Sequence, residues 1–301
     1  MPIESNIIYM NTKQVAEYLD LNEKKVYSMA NHHILPATKV TGKWLFPKVL
    51  IDRWLMDSCH SGMLSDRMHI TGSDDPLLSM LVAQLMAKSE HQKIISYSAT
   101  GSTLGLELLS RGYADVCSIH WESINDDRDS IFSLLKSFPN HQQWIMVSGY
   151  ERHQGLMVRQ EMADLFNDNI DIPKQPLRWV SRQQGAGSQQ HLANWLASNK
   201  TSLDELLFTA TANSERELAG YIARNNADIG FGCEAVARES GLHFIPKLTE
   251  SFDFVMSQSI FFRRQLQALL TLLKQPQTAQ LAQQLSGYKL VESGQIIWRG
   301  Q

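Results

Sequence analysis

From Leu77 onward, apolar runs of strand length alternate with runs of helix length, and nothing else in the sequence restricts the fold as strongly. LLSMLVAQLM (77–86) and TLGLELLSRG (103–112) have helix length, while IISYS (94–98), ADVCSIH (114–120) and WIMVSGY (144–150) have strand length. Strands separated by helices pair through crossovers, so the expected class is α/β with a largely parallel sheet. The 301 residues leave room for a smaller unit ahead of this domain. The expected boundaries are 1–57 for that unit, 58–75 for a linker rich in Ser, Gly and Asp, and 76–301 for the α/β domain.

The first unit reads as helix, turn, helix, hairpin, helix. Thr12 is expected to cap TKQVAEYLDL, which places Val15, Ala16 and Leu19 on one face. Asp20 and Leu21 turn the chain, Asn22 caps EKKVYSMANHH (23–33), and Val26, Met29 and Ala30 face inward. Lys24, Lys25, Tyr27, Ser28 and Asn31 are left pointing out. Two short helices about a tight turn are the helix-turn-helix arrangement, whose second helix fits the DNA major groove. ATKVTGKWLF (37–46) forms a hairpin, the wing, about Thr41 and Gly42, and Pro47 opens a third helix at a position proline tolerates.

The whole chain has a formal net charge of -3, so no global basic signature points to nucleic acid. Locally, residues 22–48 set Lys24, Lys25, Lys39, Lys43 and Lys48 against the single acid Glu23, and this excess falls on the outward face. The expected DNA-binding residues are Thr12, Lys24, Lys25, Tyr27, Ser28, Asn31, Lys39, Lys43 and Trp44. Lys24, Lys25 and Lys43 would touch phosphates, which position a protein and make its binding fall with salt. Tyr27 and Trp44 read equally well as part of the core, and a protein-docking module with a solvated lysine face is the alternative for the whole unit.

The unit resembles the winged helix-turn-helix of the excisionase and MerR-like families. The matching residues are Thr12, Ala16, Leu19, Leu21, Val26, Tyr27, Leu35-Pro36-Ala37, Lys39-Val40, Gly42, Trp44, Phe46-Pro47, Ile51 and Trp54. It departs from them at Asn22-Glu23-Lys24-Lys25, where a Ser and an Arg are common. The second helix therefore offers lysines but no arginine for bidentate guanine reading.

Three loops in the larger domain share one device. In SYSATGSTLGLELL (96–109), a strand ends at Ser98 and Ala99–Thr103 lead to a helix, so Ser98, Thr100, Gly101, Ser102 and Thr103 gather hydroxyls and free N–H groups at a helix start. Such a start favours an anion. RQQGAGSQQHLANWL (182–196) repeats it with Gly185, Gly187 and Ser188, and TANSERELAG (211–220) with Asn213 and Ser214. Any one of these loops reads well as a plain cap. Three together, without a catalytic set, point to a ligand.

The order of these blocks resembles the periplasmic-binding-protein-like domain, type II, of helix-turn-helix regulators related to molybdate-binding proteins. The matching blocks are SATGSTLGLELLSRGYAD with His120, Arg152-His153-Gln154-Gly155-Leu156, Arg182 to Ser188, and Ala227 to Gly232 followed by GLHFIP. The resemblance implies two α/β lobes, crossing strands at 144–158 and 250–257, and a small oxyanion of the molybdate or tungstate class in the cleft. It adds His120, Arg152, Gln154 and Cys233 to the ligand-binding candidates. Gln189 stands where an arginine usually does, which keeps a neutral or organic ligand open.

Cys59, Cys117 and Cys233 are too far apart for a metal or disulfide framework. Neither a secretory signal nor an apolar run long enough to span a bilayer is read, so a cytoplasmic place and no cofactor are expected. The leading expectation is a homodimeric, ligand-responsive transcriptional regulator whose partners are operator DNA and a small effector. Two alternatives stand beside it: a molybdenum-cofactor-related enzyme, for which no paired nucleophile and base is read, and an excisionase-type architectural protein.

Overall fold

The computed structural model of the protein describes residues 9–32, 34–58, 67–88, 94–122, 128–166, 171–290 and 292–300. The chain divides into two compact units, Met1–Ser65 and Asp66–Gln301.

In the first unit, β1 (Tyr9–Met10), α1 (Thr12–Leu19), α2 (Glu23–Asn31), β2 (Thr38–Val40), β3 (Lys43–Pro47) and α3 (Lys48–Ser58) follow one another. The cap of α1 is Asn11, not Thr12. Asn11 Oδ1 accepts from the Gln14 amide at 2.9 Å and Gln14 Oε1 accepts from the Asn11 amide, a reciprocal capping box. Asp20 closes the helix in the left-handed region, φ 53°, and Asn22 Oδ1 caps α2 by accepting from Lys25 N at 2.8 Å. Thr41 and Gly42, at φ 49° and 81°, make the tight hairpin turn that joins β2 to β3. Pro47 ends β3 rather than opening the helix, which starts at Lys48. One strand went unread: β1 pairs antiparallel with β3 and makes a three-stranded sheet. A two-residue strand is too short to show alternation. Met10, Val15, Ala16, Val26, Ala30, Leu35, Phe46 and Ile51 form the core.

The second unit runs β4 (Arg67–Gly72), α4 (Pro76–Lys88), β5 (Ile94–Ala99), α5 (Ser102–Ser110), β6 (Val116–Glu122), α6 (Arg128–Lys136) and β7 (Trp144–Val158). It continues through β8 (Arg178–Arg182), α7 (Gly187–Ser198), β9 (Leu207–Ala212), α8 (Glu215–Ala223), β10 (Ile229–Cys233), α9 (Glu234–Glu239) and β11 (His243–Ser257). It ends with α10 (Gln258–Phe261), α11 (Arg264–Leu273), α12 (Pro276–Leu285), β12 (Tyr288–Lys289) and β13 (Ile296–Arg299).

The strand order is β5-β4-β6-β11-β7-β10-β8-β9. β4 pairs parallel with β5 and β6 in one lobe, and β8 pairs parallel with β9 and β10 in the other. Between them β7 and β11, 15 residues each, run antiparallel and belong to both lobes. The crossing strand expected at 250–257 thus begins earlier, at His243. Residues 67–72 were expected in the linker. They form β4, which corrects that boundary, while 59–66 lie outside the described residues. The Ser/Gly/Asp composition read as a connection is instead the turn from β4 to α4, with Asp75 Oδ1 accepting from Leu78 N at 2.8 Å just ahead of Pro76.

Each lobe has its own core. Leu77, Leu78 and Leu81 of α4 pack with Leu266, Leu269 and Leu273 of α11 against β4 and β7 in the first. In the second, Trp179, Leu192, Leu196 and Phe231 do the same work. Burying such side chains stabilises by about 1.5–3 kcal/mol each. Among the described residues no helix is long and apolar enough to cross a membrane.

Candidate ligand cleft and candidate nucleic-acid face

The register of the crossing strands builds the centre of the cleft. Arg152 of β7 stands directly opposite Glu250 of β11, and both are buried. Arg152 Nε donates to Glu250 Oε1 at 2.6 Å, and its Nη1 donates to Asp75 Oδ2 at 2.8 Å and to the Asp74 carbonyl at 2.7 Å. Asp75 also accepts from the hydroxyls of Tyr150 and Tyr288, at 2.6 and 2.8 Å. Gln154 follows Arg152 on the same strand face and donates to Glu250 Oε1 at 2.9 Å. His191 Nε2 meets the other oxygen of Glu250 at 2.5 Å. Burial alone would push the Glu250 carboxyl up, but Arg152 and the two neighbouring histidines hold it well below the ordinary carboxylate range.

The first lobe presents Ser73, Ser102 and His120. The two hydroxyls lie 2.7 Å apart, and His120 Nδ1 is 2.5 Å from Ser73 Oγ and 3.1 Å from Ser102 Oγ. Burial lowers the His120 pKa to about 4, so its ring is neutral at pH 7. The second lobe presents Arg182, Glu215 and the start of α7. Arg182 Nη1 is 2.9 Å from Glu215 Oε1, and burial pushes the Glu215 carboxyl up against the pull of the arginines. Asp74 ties lobe to lobe: its Oδ2 accepts from the Glu215 amide at 2.7 Å and lies 3.9 Å from Arg182 Nη2. Gly187 lies against the His120 ring so closely that a Cβ there would overlap it. Ser188 Oγ is buried among these groups and has no hydrogen-bond partner.

The space enclosed by these residues is small, about 10 Å³, on the order of one water molecule. Beside it, past His120, lies an opening of about 330 Å³ lined by Thr103, Leu106, Ile131, Leu134, Gln189 and Ala193, among others. Four carboxylates (Asp74, Asp75, Glu215 and Glu250) face two guanidinium groups (Arg152 and Arg182), a formal excess of two negative charges around the cleft.

The sequence pattern of the PBP superfamily domain matches residues 83–274, more than half of the chain. The chain belongs to the PBP superfamily. A helix-turn-helix domain pattern matches residues 9–58 ahead of it. Among solved structures, the fold is similar to an H2O2-bound mutant of OxyR from Corynebacterium glutamicum, at 10% identity and a TM-score of 0.53 over 91% of this chain and 89% of that one. It is also similar to a putative phosphate ABC transporter substrate-binding protein from Clostridium perfringens with bound phosphate (11%, 0.52, 74% and 99%). The CcmR regulatory domain of Synechocystis in complex with 2-PG gives 10% and 0.52, over 70% and 98%. At these identities the likeness establishes the fold. No curated protein matches the chain.

Several of the ligand-binding residues expected from sequence do meet in the cleft of the PBP domain: Gly101, Ser102, His120, Arg152, Gly187 and Ser188. Thr103 and Gly185 line the larger opening instead. Gln154 lies behind Glu250, its Oε1 buried without a partner. Six expectations are corrected. Ser98 is exposed on β5 and does not line the cleft. Thr100 Oγ1 is occupied in accepting from the Gly72 amide at 3.1 Å. Asn213 is exposed, and Ser214 is a plain cap, accepting from Glu217 N at 3.0 Å. Cys233 belongs to the core of the second lobe, its thiol pushed up by burial. Arg152, expected to meet the ligand, is instead held by two carboxylates. Gln189, noted where an arginine was expected, accepts from the Arg182 amide at 2.8 Å.

Sequence reading missed Ser73, Asp74, Asp75, His191, Glu215 and Glu250. Only the Asp75-Pro76 pair carried a local signal, that of a capped helix start. The paired Ser73 and His120 were not expected either. His120 is a weak base at its lowered pKa, and its Nε2 faces Gly187 rather than an orienting acid.

In the helix-turn-helix domain, Lys24, Lys25, Ser28 and Asn31 on α2 and Lys39 and Lys43 on the hairpin are all exposed. Tyr27 is 47% exposed, which places it on the outer face. Trp44 packs against the core with Lys39 Nζ 5.5 Å above its ring, so it supports the face from below. Lys48, counted in the charge excess, is taken up by Asp52 at 2.8 Å.

Proposed function

We propose that this protein is an effector-responsive transcriptional regulator, binding duplex DNA through its helix-turn-helix domain and a small ligand between the lobes of its PBP domain. The observation that carries the ligand half is Ser188: a buried hydroxyl without a partner, at the start of α7, facing the hydroxyls and imidazole of the opposite lobe. The DNA half is supported by the exposed row of Lys24, Lys25, Ser28 and Asn31 on α2, flanked by the lysines of the wing. One helix-turn-helix per chain suits a homodimer on a two-fold operator, and lobe closure would alter the spacing of its two DNA readers.

For the effector, an oxyanion of the molybdate or tungstate class fits the hydroxyls and helix starts. It would displace Asp74 from the amide of Glu215 and lie beside Arg182, repeating a contact a protein carboxylate already makes. The bound phosphate of the Clostridium perfringens protein supports an oxyanion in a cleft of this fold. A small organic metabolite is the second reading, favoured by the partly apolar opening of about 330 Å³.

The test is a melting-point screen of the full chain with molybdate, tungstate, sulfate, phosphate and small metabolites, paired with duplex binding at low salt. A ligand at about 100 times its Kd adds roughly 2.7 kcal/mol. An unmoved melting point with every oxyanion removes the oxyanion class. Failure to bind any duplex removes the regulator.

A further inference from the structure

We propose that His120, His191 and Glu250 form a site for a divalent transition-metal ion of the zinc, cobalt or nickel class, bound with the two lobes closed around it. The proposal rests on the reading of this cleft as the effector site and names the chemistry of one effector. One nitrogen from each ring and one carboxylate oxygen lie within 4.8 Å of one another. Ligand atoms sit about 2.0–2.2 Å from such an ion, hence roughly 3.5 Å apart, so His191 Nε2 and Glu250 Oε2, now 2.5 Å apart, part by about 1 Å to admit it.

Each ligand comes from a different part of the domain: His120 from β6 in one lobe, His191 from α7 in the other, Glu250 from the crossing strand β11. An ion touching all three binds the closed state and not the open one, which is the differential affinity an effector needs.

The surroundings are already arranged for ligation. Ser73 and Ser102 hold His120 Nδ1, so ligation falls to Nε2, from which Gly187 must draw back. Arg152 and Gln154 hold Glu250 Oε1, and the hydrogen bond between His191 Nε2 and Oε2 is the one the ion would replace. His191 is buried, and its Nδ1 has no hydrogen-bond partner. Outer partners of this kind fix the tautomer and orientation of metal ligands.

Charge points the same way. Around the cleft four carboxylates face two guanidinium groups, so a divalent cation brings the formal sum to zero while a dianion alone doubles the imbalance. Two imidazoles and one carboxylate also leave a position open, where an oxyanion can enter as a further ligand.

The experiment uses the full chain stripped with a chelator and titrated with Co(II). One Co(II) per chain is expected, with visible d–d absorption, displacement by Zn(II), and a raised melting point. His120→Gln and His191→Gln are each expected to weaken Co(II) binding at least about 100-fold, and Ser102→Ala about tenfold through loss of an outer partner. Circular dichroism checks that the variants fold, and Ser102→Ala keeps the test open if a histidine variant does not. The site is overturned if the stripped protein takes up no Co(II) at micromolar concentrations, or if uptake survives in the folded histidine variants. A failed titration beside a melting point that responds to molybdate or a metabolite overturns the metal and leaves the effector reading standing. Duplex binding is scored separately, and its absence counts against the regulator alone.

Discussion

The helix-turn-helix face and the PBP cleft handle charge in opposite ways. On α2 and the wing, Lys24, Lys25, Lys39 and Lys43 stand in solvent, and their charge is free to meet a polyanion. In the cleft, Arg152, Arg182, Asp75, Glu215 and Glu250 are all buried, and each is committed to another protein group. A surface that binds a long, rigid polyanion needs only exposed charge in a row. A cleft that encloses a small ligand takes charge out of water, and must pair what the ligand does not use.

The sharpest way to break this contrast is Glu250→Ala. Removing the carboxylate leaves Arg152, Gln154 and His191 without their shared acceptor, and a loss of about 3–5 kcal/mol is expected from denaturant unfolding of the PBP domain. A loss under about 1 kcal/mol would show that the cleft charges are not coupled as described.

Acid tests the same cleft without mutation. Folding lowers the His120 pKa from 6.5 to about 4, so between those values the unfolded chain binds the extra proton. Stability is therefore full above about pH 6.5 and falls as pH drops towards 4, by roughly 3 kcal/mol. Glu250, also held low, adds a further loss below its ordinary range. The slope should vanish between pH 6.5 and 5 in His120→Gln, and an unchanged slope in that variant would assign the effect to other groups.

Gly187→Ala sets a methyl group into the His120 ring and should cost about 1–3 kcal/mol, with a larger loss of ligand response than of melting temperature. On the other side of the comparison, Lys24→Ala with Lys25→Ala should lower duplex affinity and reduce the salt slope by about two, leaving the melting of the PBP domain unchanged. A slope that does not move would take α2 off the phosphates. The smallest effect expected is from Asn11→Ala, about 1 kcal/mol on the first unit alone, read by denaturant unfolding.

The two regions also differ in how far they could be read from sequence. The inward and outward residues of α2, and the Thr41-Gly42 turn, follow from spacing and residue chemistry within a few positions of each other. Even the misplaced cap, Thr12 for Asn11, missed by a single residue. In the cleft, Ser102, Gly187 and Ser188 were reachable because each sits at a helix start with a local signature, while His120, inside β6, came from the family resemblance. His191 carries none, lying in the interior of α7, and Glu250 lies in the middle of a crossing strand. Asp74 and Asp75 gave a signal that composition alone assigned to a connection.

Local order was the sequence's own: the alternation of elements, the capped helices, the hairpin, and which side of each helix is apolar. These depend on periodicity and on hydrogen bonds spanning three or four residues, so they are written where they act. Which charges meet was decided only by the tertiary structure. The β7–β11 register sets Arg152 opposite Glu250 across 98 positions, and a lobe-to-lobe contact joins Asp74 to Glu215 across 141. No local pattern encodes such pairs, because their energy exists only once folding has removed the water between them.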